Sequence, residues 1–187
     1  MFTSYVNEPK DFCFESQDPD EVVHLLIRKH PITNIGWIIS SIILVIFPLV
    51  LMTVFANLKI NTFQYIAADI QIMVLLLWYL LTMFMTFQSF LIWYFNVYII
   101  TDKRLIDIDF SGLWKKRISE TSFGQIEDAT YQTDKFWHIL FDYGDIFVQT
   151  AAEKSEFEFA SIPKPAIVHD KFTDLVEEFK KKHGNKH

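Results

Sequence analysis

Residues 37–55 read WIISSIILVIFPLVLMTVF, and residues 70–94 read IQIMVLLLWYLLTMFMTFQSFLIWY. Neither stretch contains a charged side chain. A helix rising ~1.5 Å per residue needs ~20 apolar residues to cross the hydrocarbon core of a bilayer, and both stretches are long enough. They predict transmembrane helices at about 35–56 and 70–94. Trp37, Trp93 and Tyr94 sit at their ends, where aromatic side chains favour the membrane–water interface. Pro48 lies inside the first helix, where a kink is expected. A membrane helix tolerates it because a neighbour can satisfy the carbonyl that proline leaves free.

The intervening segment, Asn57 to Asp69, is short and polar, so an antiparallel helical hairpin is expected. Arg28 and Lys29 precede the hairpin, and Lys103 and Arg104 follow it, with Lys115, Lys116 and Arg117 a little further on. The loop itself offers only Lys59. Positive side chains stay on the cytoplasmic face. Both termini are therefore expected in the cytosol, in a multi-pass protein of the cytoplasmic (inner) cell membrane. Gln88, with Thr82, Thr86 and Ser89 on one helical face, could line a polar path or hydrogen-bond between helices. The absence of an ionisable residue at mid-span favours the second reading, with Gly36 and Ser40 allowing close approach.

The rest of the chain is different in kind. Charges are sparse from Lys59 to Lys103 and dense after it, within a net charge of −6 that argues against nucleic acid as a partner. A single cysteine, Cys13, excludes an internal disulfide and reads as an ordinary small apolar residue. Residues 1–17 carry Phe2, Tyr5, Phe12 and Phe14 with few helix signals, and no signal peptide is visible. They are expected to form an extended arm packing on the later domain. Val22 to Ile27 is too short a run to decide between strand and helix.

After Tyr98 the pattern becomes short alternating runs. Strands are expected at Tyr98–Ile100, Leu105–Phe110, Leu113–Ser119, around a bend in Ser122–Thr133, at Ile146–Thr150 and at Glu156–Ile162. Hairpin turns are expected at Ser111-Gly112, Tyr143-Gly144-Asp145 and Ala151–Ser155. Thr133-Asp134 is a cap for a short helix over Lys135–Phe141. Pro163 and Pro165 open a final amphipathic helix, with Val168, Phe172, Leu175, Val176 and Phe179 on one stripe and Lys180 to Lys182 at its negative end. The expected fold is a membrane helical hairpin with an α+β domain of about six or seven strands capped by a C-terminal helix. The division is residues 1–31 as a cytoplasmic arm, 32–95 as the hairpin, and 96–187 as a cytoplasmic domain.

Several of these segments, in this order, resemble the bacterial pleckstrin-homology-like (PH-like) domain of small membrane proteins. They are EVV…RKHP before the first membrane helix, YIITDKRL leading the first hairpin, SFGQIEDA, FDYGDIFVQTA, and IPKP before the last helix. The resemblance implies a partly open β-barrel or sandwich closed by the final helix. It implies no activity, since similar domains bind lipid headgroups, peptides or proteins.

No nucleophile elbow, zinc-protease motif, P-loop or glycine-rich nucleotide turn is present. No enzyme activity, cofactor or metal is expected. Asp107, Asp109, Asp142 and Asp145 read as solvated carboxylates or turn residues. His24 and His30 read as structural or interfacial rather than metal-binding, and His138 and His169 have no evident partner in the sequence. Lys103, Arg104, Lys115, Lys116 and Arg117 are candidate contacts for anionic lipid headgroups, each worth roughly 1 kcal/mol near an anionic surface. The competing explanation is that they only set topology. The junction Phe95 to Thr101 is short enough to hold the domain at the membrane. The expected partners are the lipid bilayer, anionic headgroups, and a protein partner or second copy. The leading functional reading is a non-enzymatic membrane-anchored binding module or scaffold. The alternative is an accessory subunit of a larger transporter or envelope complex.

Overall fold

The computed structural model describes residues 4–9, 12, 14, 16–58, 67–112, 115–133, 136–151 and 156–184. Cys13, Phe2, most of the loop between the two apolar helices, Leu113, Asp134, Lys135 and residues 152–155 lie outside that set, so the expectations placed on them are not addressed. The chain divides into two compact units, Asn34–Leu91 and Met1–Thr33 together with Ile92–His187.

The first unit is a helix pair. A 3-10 turn at Pro31–Asn34 leads into α1, Ile35–Asn57, and α2 spans Ala68–Phe95. Both helices are long and apolar enough to cross a membrane. Their apolar side chains are exposed along their length, and α1 buries none of its residues. α1 continues unbroken through Pro48. Proline has no N–H to give the carbonyl four residues back, which is Leu44. The indole Nε1 of Trp78 on α2 donates to that Leu44 oxygen at 2.9 Å, and its ring stacks on Phe47. Tyr79 donates to the next carbonyl, Val45, at 3.3 Å. Thr86 Oγ1 lies 2.9 Å from Ser41 Oγ, and Thr82 donates to Trp78 O within its own helix. Thr86 of the polar face expected on α2 thus meets α1, while Ser89 bonds within its own helix, to Met85 O.

The second unit holds two antiparallel sheets. Five strands run in the order β1 (Tyr5–Asn7), β2 (Val23–Arg28), β3 (Val97–Thr101), β4 (Arg104–Phe110), β5 (Lys116–Ser122). Three more run in the order β6 (Ile126–Gln132), β7 (Tyr143–Thr150), β8 (Glu156–Pro163). Six strands therefore come from the part after Asn96. The N-terminal segment, expected as an arm, adds two more, and the undecided run Val22–Ile27 proves to be a strand. A short helix α3, Phe136–Phe141, precedes β7, and α4 covers Pro165–Gly184.

The core lies between the sheets. Leu25, Ile27, Tyr98, Ile100 and Leu105 face Ile146, Val148, Phe159 and Ile162, with Val168, Phe172 and Val176 of α4 and Phe123 completing it. The apolar stripe expected on α4 supplies its share at helical spacing. The opposite face of the five-stranded sheet gathers Val23, Leu26, Val97, Ile99 and Ile106. A register shift between Val23 and Leu25 puts Val23 on that face with Leu26. Phe12 and Phe14 of the N-terminal segment cover it.

Several expected boundaries move. The strand expected at Leu113–Ser119 extends to Ser122, and the bend within Ser122–Thr133 is a 3-10 turn at Phe123–Gln125 before β6. Pro163 ends β8 and only Pro165 opens α4, because the chain turns at Lys164, whose φ is 51°. Tyr143-Gly144-Asp145 is the start of β7, and the turn falls one residue earlier, at Asp142 with φ 51°. Gly144 serves a close approach: a Cβ there would stand 2.6 Å from Gln132 O and 2.7 Å from Thr133 Cγ2.

Candidate functional site

The β3–β4 turn carries Lys103 and Arg104. Thr101 Oγ1 fastens it, donating to Arg104 O at 2.9 Å and accepting from Lys103 N and Arg104 N. The Arg104 guanidinium meets Glu21 in two parallel bonds, Nε–Oε1 at 2.9 Å and Nη2–Oε2 at 2.8 Å. It also donates to Glu120 at 2.7 Å and to Ser16 O at 2.5 Å. The Glu21 side chain is wholly buried. Burial pushes its carboxyl up, but hydrogen bonds from Arg104, Thr101 and the backbone of Asp18 outweigh that and hold it below the ordinary value. The same pairing raises Arg104. Arg104 is thus committed to joining the N-terminal segment to the sheet. Sequence reasoning missed Glu21, whose partner lies 83 residues away.

Lys103 lies at the rim of a groove of about 630 Å³ between this turn and the second half of α4. His24, Asp102, Glu178 and Lys182 give the groove both signs of charge, over Leu175 and Phe179. Lys182 pairs with Glu178 at 2.6 Å, and Lys103 lies 3.7 Å from Asp18. Such exposed pairs open readily, so the groove could accept a polar or mixed-charge chain segment.

Lys115, Lys116 and Arg117 are elsewhere. The β4–β5 register pairs Arg104 with Ser122 at one end and Phe110 with Lys116 at the other. Six residue steps at ~3.4 Å separate those ends by about 20 Å. The five candidate lipid contacts therefore do not form one cluster, and the strand expected between the apolar helix and Lys103 and Arg104 is the reason. The strand β3 intervenes, and its length carries them to the far end of the sheet. The Lys115–Arg117 end is the one where α2 hands over to β3 through the single residue Asn96. Asn96 is buried and its Oδ1 accepts from Phe110 N at 2.5 Å, while Phe95 packs on Phe110. Arg28, at the end of β2, pairs with Val97 across the sheet and stacks over Tyr94. Trp93 donates to Lys29 O at 3.0 Å. Lys115, Lys116 and Arg117 are all exposed there. Gly112, at φ 92°, turns the hairpin where Ser111-Gly112 predicted it.

Asp107, on β4 near this end, is half-buried. Burial first, then the neighbouring Asp109, raises its carboxyl to about 6, against the lowering effect of Lys29 and Arg117. The histidines have structural surroundings. His30 stacks on Tyr143 at 5.4 Å, His138 packs on the same ring at 4.4 Å, and His169 Nε2 lies 3.0 Å from Ala129 O. Asp145 accepts from Ser161 N at 2.6 Å, a fold contact. Among the described residues no group of three or more His, Cys, Asp or Glu could hold a metal.

Comparison with known proteins adds three findings. A family model described as Bacterial PH domain matches residues 30–175. A solved structure described as a DUF1696 family protein with a pleckstrin-homology domain from Shewanella loihica PV-4 is similar over 45% of this chain and 69% of its own, at 20% identity and a TM-score of 0.33. No curated protein matches.

Proposed function

The chain belongs to the bacterial PH domain family, and from that membership we propose a non-enzymatic binding module anchored in the cytoplasmic membrane by α1 and α2. The observation that carries this reading is the pairing of β2 with β3. These strands flank the helix pair in sequence, yet Arg28 and Val97 are partners in one sheet. Both ends of the helix pair therefore belong to a single folded unit. An intervening segment that enters the bilayer must cross it twice or not at all. The exposed apolar surface of both helices supports crossing, since soluble core helices would be buried. Of the polar side chains that suggested a larger assembly, Thr86 bonds Ser41 of α1, and Thr82 and Ser89 bond carbonyls of their own helix.

Arg28, Lys29, Lys115, Lys116 and Arg117 lie at the sheet end next to the helices, which favours a cytoplasmic domain by the positive-inside tendency. In this reading Lys115, Lys116 and Arg117 face anionic headgroups. Lys103 and Arg104 do not, and the groove beside Lys103 receives a protein partner. Both termini are cytoplasmic. The test is affinity capture of the full chain from mild detergent, comparing the wild type with Lys103→Glu and with a Lys115→Glu, Lys116→Glu, Arg117→Glu triple variant. The reading expects Lys103→Glu to lose a reproducible protein partner that the triple variant keeps. A partner set unchanged in both variants would count against it.

A further inference from the structure

Helix α3 is a six-residue turn, FWHILF, with an unusual distribution of exposure. Phe136 is 72% exposed, Trp137 57%, Ile139 72%, Leu140 57% and Phe141 42%. No residue of the helix is charged. His138 alone is buried, and its ring packs on Tyr143. The helix is thus fastened through its histidine and turns its five large apolar side chains outward. A contiguous apolar face of this kind on a water-soluble surface marks something that covers it.

Its position in the fold indicates what does. Tyr143, which seats His138, also stacks on His30 at 5.4 Å, with the rings nearly parallel. His30 is fixed in turn by its N–H to Ser161 O at 2.7 Å, and the next residue, Pro31, begins the apolar span that ends at Asn57. Two ring contacts therefore connect α3 to the point where the chain leaves the domain for α1. At the same rim Lys164 is exposed, and its N–H donates to Asp142 O just after α3. Tryptophan, phenylalanine and leucine beside a cation are the side chains that favour the headgroup boundary.

We propose that α3 is an interfacial anchor, with Phe136, Trp137, Ile139, Leu140 and Phe141 dipping into the acyl–headgroup boundary of the bilayer that α1 and α2 cross. The inference rests on the membrane reading of α1 and α2. The bilayer is favoured over a protein because the same rim carries the chain into an apolar span. α3 is then a third, shallow point of attachment to the bilayer.

The test uses the full chain in nanodiscs of phosphatidylcholine and phosphatidylglycerol. Cys13→Ser removes the single native cysteine, and single cysteines are then placed at Ile139, at Glu158 on β8, and at Leu81 in α2. Each is labelled with an environment-sensitive fluorophore. Quenching by lipids with a spin label near the headgroup, read for position 139, or at mid-chain, read for position 81, is compared with quenching by aqueous iodide. The expected result is that the labels at 139 and 81 are quenched several-fold more by the spin-labelled lipid than the label at 158, which iodide quenches. If 81 is lipid-quenched but 139 responds to iodide, the α3 anchor is overturned while the spanning helices stand. If 139 is shielded from both quenchers, a protein or second copy covers it, and the proposal is again overturned. If 81 itself is not lipid-quenched, the membrane reading fails and the proposal with it.

Discussion

Trp78 shows how one side chain can compensate for a helix defect. Its indole takes the Leu44 carbonyl that Pro48 leaves without a donor. Trp78→Phe keeps most of the ring but leaves that carbonyl unpaired. It is expected to destabilise the helix pair by about 1 kcal/mol, a typical worth for a hydrogen bond between membrane helices. Pro48→Ala restores an N–H within α1, so Trp78→Phe should cost much less in that background. Unfolding of the four proteins in mixed micelles measures the cycle, and additive effects would contradict this pairing. The sequence made Pro48 legible as a position needing a partner. It did not say which tryptophan would serve, because the register of two helices is not encoded in either one alone. The same limit hid Glu21. Its carboxylate looked like one more surface acid until the sheet brought Arg104 to it. Arg104→Ala is expected to cost about 3 kcal/mol by leaving Glu21 buried and unpaired, read as a lower melting temperature in mild detergent. Asp107 supplies a pH dependence. Its carboxyl titrates near 6 when folded, against an ordinary 3.8. The folded state holds the proton more tightly, so this group's contribution is most favourable below the ordinary value. It declines as pH rises toward 6 and is flat above. Asp107→Asn should therefore stabilise the domain at pH 7 by about 1 kcal/mol after solvent screening, with the gain vanishing near pH 4. An equal gain at all pH values would contradict the assignment.

Among the elements, β2 carries the most consequence. It sits inside the five-stranded sheet and contributes the buried Leu25 and Ile27. From sequence its short β-branched run was equally a strand or a helix. Its pairing partner, β3, lies beyond the whole helix pair, so no local pattern could reveal the sheet. The elements with a distinctive apolar pattern were legible: the two long apolar runs, the stripe on α4, and the central strand β3, whose residues are buried on both faces. Boundaries at Pro163 and Gly144 were not, since both depended on which neighbour stood within reach. A fragment of residues 96–187 lacks β2 and exposes the edge of β3. It is expected to show no cooperative melting transition. Residues 1–31 joined to 96–187 by a short Gly/Ser linker should restore one, because Arg28 and Val97 already lie side by side. Cooperative unfolding of the shorter fragment would refute the role given to β2.

At the scale of the molecule, the candidate site divides where the sequence showed one basic group. Arg104 is structural, Lys103 borders the groove, and Lys115 to Arg117 lie at the sheet end near the helices. Their separation follows from strand length and register, which residue spacing alone could not supply. The central claim is that the helix pair spans the membrane and leaves the whole sheet assembly on the cytoplasmic side. Protease treatment of inside-out membrane vesicles carrying the full chain tests it most directly. The account predicts digestion of the sheet domain and survival of a fragment containing both helices that resists alkaline extraction. Protection of the domain in those vesicles, or release of the intact chain by alkali, would contradict it.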